Sequence, residues 1–203
     1  MSLIVLFTSK KGVIISADKR VIDFYPASKC EKLEEELYNG GIVTDYELKK
    51  RAGELGVNIT IRDNKKKIAS KGGVLTGQVT SFEQGELKLR RVYSVPGYYL
   101  IIDVVKGKVV MTEEDGSAFV ILGNKITKRE ASATIKKEWN GRLNMVEIEG
   151  VIKKAMENCS IKTASMSKEY DLLVSAEGAE KGRVMELIRE DAEKNRWTVV
   201  EVF

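Results

Sequence analysis

The sequence predicts an α+β protein in which two packed sheets carry helices on their outer sides, and three observations predict it. The first strand-like segments, Leu3–Thr8 and Val13–Ala17, are apolar on both alternating faces, as in strands covered on both sides. The middle of the chain, from Val74 to Leu122, reads as a dense run of strands separated by short turns. The helical segments arrive in separate runs instead of alternating one by one with strands.

The elements follow in order. Gly12 supplies the permissive turn between the first two strands, Val21–Phe24 continues as a third, and Pro26 stops it. From Ser28 the period changes: Cys30, Leu33 and Leu37 share one face, Glu31, Lys32, Glu34, Glu35 and Glu36 take the other, and Gly40-Gly41 ends the helix. A second helix opens on the capping box Thr44…Glu47 and buries Leu48, Ala52 and Leu55 before Gly56. Asn58–Arg62 reads as a strand, and 63–73, with its Lys65-Lys66-Lys67 run, as a solvated loop. The meander consists of Val74–Phe82, Leu87–Val95, Tyr98–Val105, Lys108–Thr112 and Ala118–Leu122, with turns at Pro96-Gly97 and Lys106-Gly107. Two helices follow. One opens at Thr127 with Glu130 and carries Ala131, Ile135 and Trp139; the next opens at Asn144 with Glu147 and carries Ile148, Val151, Ile152, Ala155 and Met156. Tyr170–Ser175 is a strand, Gly178–Asn195 an amphipathic helix burying Val184, Leu187, Ile188 and Ala192, and Trp197–Val202 a closing strand. One domain spanning 1–203 is expected, with an inserted helical lobe at about 29–80.

Composition narrows the chemistry. A chain of 203 residues with 43% hydrophobic and 32% charged residues is long enough for a substantial core. Its 34 basic and 30 acidic residues are interspersed, so the +4 balance compels neither a nucleic-acid nor a membrane partner. The lysine run at 65–67 lacks the interleaved aromatics of a single-strand platform. There is no histidine, which excludes Ser-His, Cys-His and histidine-metal mechanisms; no metal and no cofactor is expected. Cys30 and Cys159 lie far apart within helical patterns and read as small buried apolar residues in a reducing compartment. The apolar start is too short for a signal-peptide core or a membrane span and has no basic region before it, so a cytoplasmic protein is expected.

These exclusions leave few ways to perform acyl transfer, and one of them stands at the start of the chain. Ser2 directly follows the initiator Met1 at the head of a buried strand, and Asp18 closes the next one. A serine hydroxyl normally needs an adjacent base, but an N-terminal serine carries its own α-amine, with a reference pKa of about 7.7–8. Removing Met1 makes Ser2 both alcohol and amine.

The stretch Gly12-Val-Ile-Ile-Ser-Ala-Asp18-Lys-Arg20 resembles the opening of proteasome β-subunits and other N-terminal-nucleophile hydrolases. Ala118-Phe-Val-Ile-Leu-Gly123 is similar to the strand and glycine before that family's paired helices, and Thr163-Ala-Ser-Met-Ser167 with Asp171-Leu-Leu-Val to its serine loop and strand. Within the superfamily, Glu31–Tyr38, Thr44–Leu48, Arg90–Tyr93 and Leu122-Gly-Asn-Lys125 resemble the archaeal connectases of methanogens over nearly the whole chain. The resemblance implies a four-layer αββα sandwich of N-terminal-nucleophile type with a helical insertion. It also implies a monomeric, sequence-specific protein ligase. Some members carry a further small C-terminal domain, which is expected to be missing beyond Phe203.

Carried over residue by residue, the resemblance makes Ser2 the nucleophile and Asp18 the acid that orients its amine, and puts Arg91 at a position held by lysine in proteasomes. Lys29 or Lys32 are alternative cations. Asn124 and Ser167 stand where proteasomes place serines near the amine, and Ala164 replaces the acid expected before Ser167. Arg20, Lys29 and Lys32 are expected to bind substrate. The implied partner is a peptide or protein with a Lys-Asp-Pro-Gly-Ala-like motif, found in a subunit of the membrane methyltransferase complex of methanogenesis. Two rival readings are an ordinary proteasome-like endopeptidase and a catalytically silent binding protein that retains Met1.

Overall fold

The structure, a computed structural model, describes residues 3–83, 86–176 and 179–199. Among them, twelve strands and five α-helices make a mixed α/β fold with antiparallel sheets. The hairpin of β1 (Ile4–Ser9) and β2 (Gly12–Asp18) is buried along almost its entire length, as its two-faced apolar pattern requires. These strands form the middle of a four-stranded sheet, in the order β10 (Ala118–Leu122), β1, β2, β11 (Tyr170–Ser175). A separate two-stranded ribbon pairs β3 (Val21–Tyr25) with β4 (Asn58–Arg62), running from Val21 opposite Arg62 to Tyr25 opposite Asn58.

Four of the five strands expected in the meander pair in sequence order, whereas the fifth, Ala118–Leu122, joins β1 in the four-stranded sheet instead. β6 (Val74–Glu83), β7 (Glu86–Val95), β8 (Tyr98–Val105) and β9 (Lys108–Asp115) pair antiparallel in sequence order. β5 (Ile68–Lys71) extends the sheet at one edge, and β12 (Thr198–Val199) lies parallel to β9 at the other. The expected solvated loop at 63–73 is therefore corrected in its second half. Only Ile68 of the four β5 residues is buried, so alternation is too short to register. The turn itself carries a sequence signal: Lys71 pairs with Val74 around Gly72-Gly73, both at positive φ (58° and 80°), as in the two-residue turns that favour such dipeptides.

The chain divides into two compact units. The first comprises Met1–Val5, Ser16–Lys66 and Ile121–Asp171. Within it α1 (Glu31–Asn39) and α2 (Asp45–Glu54) bury Leu33, Leu37, Leu48 and Ala52 with Ile42, Val57 and Ala164. Each fully buried leucine contributes about 2 kcal/mol relative to exposure. The Arg51 guanidinium grips the Glu36 carboxylate through two bonds of 2.7 and 2.6 Å, fixing the angle between these helices. The capping box on Thr44 is present, with Glu47 N–H donating to Thr44 Oγ1 and Thr44 N–H to Glu47 Oε2.

Also in this unit, α3 (Lys125–Glu138) packs on α4 (Met145–Ser160), whose predicted Asn144 capping box forms. The start of α3 differs from the expectation. Asn124 is its cap and Thr127 lies inside the helix, because the Asn124 side-chain carbonyl accepts the Thr127 N–H at 3.0 Å. Trp139 ends the helix in extended conformation.

The second unit comprises Leu6–Ile15, Lys67–Val120 and Leu172–Phe203. Its α5 (Lys181–Asn195) sets Val184, Leu187 and Ile188 against Tyr93, Leu100, Ile102 and Val104 of the meander. The Phe7 and Phe119 rings meet at 4.8 Å in a tilted pair. The expected start of α5 at Gly178 lies outside the described residues, and Glu180 caps the helix. Of the expected closing strand, residues 200–203 also lie outside them.

Gly40 ends α1 in the left-handed region, at φ 90°, and a Cβ there meets Ile126 Cδ1 at 2.9 Å. Gly53, inside α2, has open space around it. Gly40→Ala is expected to lower unfolding free energy by about 1–3 kcal/mol. Gly53→Ala is expected to raise it by about 0.5–1 kcal/mol. Urea denaturation of the two variants checks this opposite sign.

Candidate active site

The first unit gathers one buried carboxylate, one buried guanidinium and a loop of hydroxyls. Asp18, the last residue of β2, is fully buried. Its Oδ1 accepts the Leu3 N–H at 2.8 Å, and its Oδ2 accepts the Arg20 N–H at 2.9 Å and the Ser167 N–H at 3.4 Å. The Asp18 N–H in turn donates to the Leu3 carbonyl at 3.2 Å. Leu3 is thus held on both its backbone groups by the same residue. Ser2, the expected nucleophile, lies outside the described residues. By connectivity its peptide bond ends on the Leu3 nitrogen.

Ser167 meets Asp18 through its backbone N–H; the resemblance placed it near the amine of Ser2, which lies outside the described residues. The Ser167 hydroxyl donates to the Glu169 carbonyl and accepts the Glu169 N–H, both at 2.8 Å, which locks the loop where its backbone faces Asp18. Asn124 joins the same loop from another side. Its amide nitrogen donates to Ser165 Oγ at 2.8 Å, and the Thr163 hydroxyl donates to that oxygen at 2.9 Å. All three are buried, so Asn124 is both helix cap and loop anchor. Sequence reasoning missed Thr163 and Ser165. The hydroxyl-rich Thr163–Ser167 segment was the signal, but only the fold shows that it is sequestered.

Arg20 is buried at 8% exposure and turns its guanidinium onto Asp45 and Asp63. Burial acts to lower its pKa, and the hydrogen bonds to Asp63 and Asp45 overcome this and raise it. Neither aspartate stood out in the sequence, because Asp45 reads as a first-turn helix acid and Asp63 as a loop residue. Arg20, Asp45 and Asp63 line an open cleft of about 460 Å³ with Thr163, Met166 and Ser167. One wall is therefore the helical insert and the other the hydroxyl loop.

Lys29, in the short 3-10 turn before α1, and Lys32, in the first turn of α1, are exposed and do not line this cleft. Arg91 belongs to the second unit, where it pairs with Asp191, donates to Gln78 Oε1 and lies 5.4 Å from the Trp197 ring centre. Tyr93 donates to the same Asp191 at 2.7 Å. This set of partners gives Arg91 a packing role between β7 and α5. Of the lysine run, Lys65 donates its backbone N–H to the Lys19 carbonyl at 3.0 Å, and Lys67 is half-buried while Lys65 and Lys66 are exposed.

The thiols are poor nucleophiles. Burial, helped by Glu130, pushes Cys159 up to about 12, and burial with Glu34 raises half-buried Cys30. Among the described residues no group of three or more Cys, Asp or Glu side chains is gathered as a metal site. No helix among them is long and apolar enough to cross a membrane.

These features define an α+β chain whose buried aspartate receives the main-chain amide next to Ser2. The family model described as "Connectase MJ0548-like, N-terminal domain" matches residues 1–193, and the chain belongs to the connectase family. Membership supports a ligase-type or peptidase-type function. Among solved structures the chain is similar to eukaryotic HslV from Trypanosoma brucei, with 14% identity, coverage of 85% of this chain and 98% of that one, and a TM-score of 0.47. It is similar to Anbu, an ancestral β-subunit, from Yersinia bercovieri, with 8% identity, coverage of 95% and 94%, and a TM-score of 0.49. For the Gly-1 mutant of Anbu from Hyphomicrobium sp. strain MC1 the values are 10%, 100% and 99%, with a TM-score of 0.48. No curated protein sequence matches.

Iodoacetamide at pH 8 is expected to label Cys30 slowly and to leave Cys159 unlabelled until urea unfolds the chain. Peptide mass mapping after timed quenching checks the order, and prompt native labelling of Cys159 contradicts the burial described.

Proposed function

We propose that this connectase-family chain is a sequence-specific protein ligase that forms an acyl-enzyme on Ser2 after removal of Met1 and passes the acyl group to another peptide amine. The observation that carries the reading is the 2.8 Å bond from the Leu3 N–H to buried Asp18, since Leu3 is the residue bonded to Ser2. A fixed first amide restricts the freedom of the residue before it, which is how orientation lowers a barrier.

In the proposed cycle Ser2 Oγ attacks a peptide carbonyl while its hydroxyl proton passes to the α-amine, directly or through one water. The tetrahedral intermediate collapses, the C–N bond breaks, and the departing amine takes that proton, leaving an ester on Ser2. An incoming peptide amine then attacks the ester and loses a proton to the α-amine. The new amide forms, and the proton returns to Oγ. Asp18 serves as the acceptor that orients the α-amine. If water takes the amine's place the product is hydrolytic, so ligation depends on excluding water and holding the second peptide. The cleft walled by the insert and the hydroxyl loop is the proposed site of that selection.

The substrate is proposed to be a peptide with a Lys-Asp-Pro-Gly-Ala-like motif, as in a methyltransferase-complex subunit, and the enzyme to act as a cytoplasmic monomer without cofactor or nucleic acid. Met-free protein incubated with such a peptide and a second peptide amine is expected to show, by mass spectrometry, an acyl fragment on Ser2 and a joined product. Ser2→Ala is expected to abolish both, and Asp18→Asn to lower the rate by about 10²–10⁴-fold. Cleaved peptide without joined product points instead to an endopeptidase. No Ser2 adduct on Met-free protein overturns both enzyme readings.

A further inference from the structure

We propose that Arg20 is a positioning residue that clamps the helical insert to the Thr163–Ser167 loop and thereby holds the amides facing Asp18. This assignment replaces the substrate-binding role expected from sequence; it rests on the function proposed above and deepens it.

The donor inventory comes first. Nε donates to Asp63 Oδ1 at 2.8 Å, and Nη2 to Asp63 Oδ2 at 2.8 Å and Asp45 Oδ2 at 3.2 Å. Nη1 donates to Asp45 Oδ1 and to the Ala164 carbonyl at 2.9 Å. A guanidinium has five N–H groups, and these bonds use all five. None remains for a substrate carboxylate.

The acceptors come from three places in the first unit. Asp45 is in the first turn of α2, Asp63 directly follows β4, and Ala164 lies in the hydroxyl loop. Ala164 is also gripped from its other side, its N–H donating to the Ile42 carbonyl at 3.1 Å, and its side chain is in the core of the insert. Three residues on, Ser167 presents its N–H to Asp18, and Arg20 presents its own. A chain of short contacts therefore runs from insert to guanidinium to loop to carboxylate. The planar fork meets two carboxylates and a carbonyl through five bonds, whereas a lysine ammonium has three donors and cannot replace them all.

A further consequence is that the insert's docking and the orientation of Asp18 are one coupled state. Loosening the clamp at its far end, through Asp45 or Asp63, is expected to reach Asp18 although neither aspartate touches it through any bond described above.

The test uses the full Met-free chain and the variants Asp45→Asn, Asp63→Asn, their double, and Arg20→Lys. Amide hydrogen exchange at Leu3, Arg20 and Ser167 is expected to accelerate about tenfold or more in the double variant, while Val92 and Ile102 in the second unit keep their native rates. With the motif peptide, kcat is expected to fall about 10–100-fold in the double and in Arg20→Lys, with KM within about twofold of the native value. Unchanged exchange at Leu3 and Ser167 overturns the clamp. A rise in KM at unchanged kcat for Arg20→Lys overturns it too and restores a substrate contact. Should the double variant not fold, Asp45→Asn alone is expected to accelerate exchange about threefold, and no acceleration is equally adverse. Failure of the native chain to form a Ser2 ester removes the ligase reading, while the exchange rates still decide the clamp.

Discussion

A carboxylate that is fully removed from solvent needs donors arranged around it, because burying an unpaired charge costs several kcal/mol. Among the described residues the donors at Asp18 include backbone amides from three separate segments, residues 3, 20 and 167. That requirement organises much of the first unit. It pins the first strand to the second at their open end, turns the chain sharply after β2, and brings a loop from the far end of the sequence to the same point. Each segment is then fixed by its own secondary bonds: Ser16 and Lys19 hold Asp171 at the start of β11, and the Ser167 hydroxyl closes on Glu169.

Buried Arg20 and half-buried Arg91 illustrate how one residue type acquires different tasks. Arg20 follows a strand end and meets two aspartates, whereas Arg91 lies within a strand between Gln78, Asp191 and the Trp197 ring. Both give up mobility in exchange for several directed bonds, which suits a flat delocalised cation better than an ammonium. In the second unit the result is a sheet stapled to α5. In the first it joins the insert to the hydroxyl loop.

Much of the fold was legible because its signals are local. The capping boxes at Thr44 and Asn144 are read directly from residue spacing, and the two-faced apolar strands announced their own burial. The strand at Ile68–Lys71 was not legible, since one buried residue in four makes no pattern, although Gly72-Gly73 marked its turn. Asn124 reads in sequence as a residue before a helix opening at Thr127; asparagine and threonine both cap helices, and only the Oδ1 contact decides between them. Of the site, Asp18 stood out by its spacing from Ser2 and Ser167 only through the family resemblance; the Ser167 N–H meets the Asp18 carboxylate. The roles of Asp45, Asp63, Thr163 and Ser165 were not, because they depend on segments far apart in sequence. Ser2 lies outside the described residues, and its proposed place in the site is founded on its neighbour Leu3.

The chemical quiet around neutrality has a practical side. Side-chain titration between pH 5 and 8 is ordinarily the province of histidine, with perturbed thiols close behind. This chain has no imidazole, and both of its sulfhydryls are driven upward by burial and nearby carboxylates. Neither kind of group therefore clouds that interval. In the proposed cycle an inflection found there falls to amines, that of Ser2 during ester formation and that of the incoming peptide during ligation, so following the two steps separately tells one nitrogen from the other.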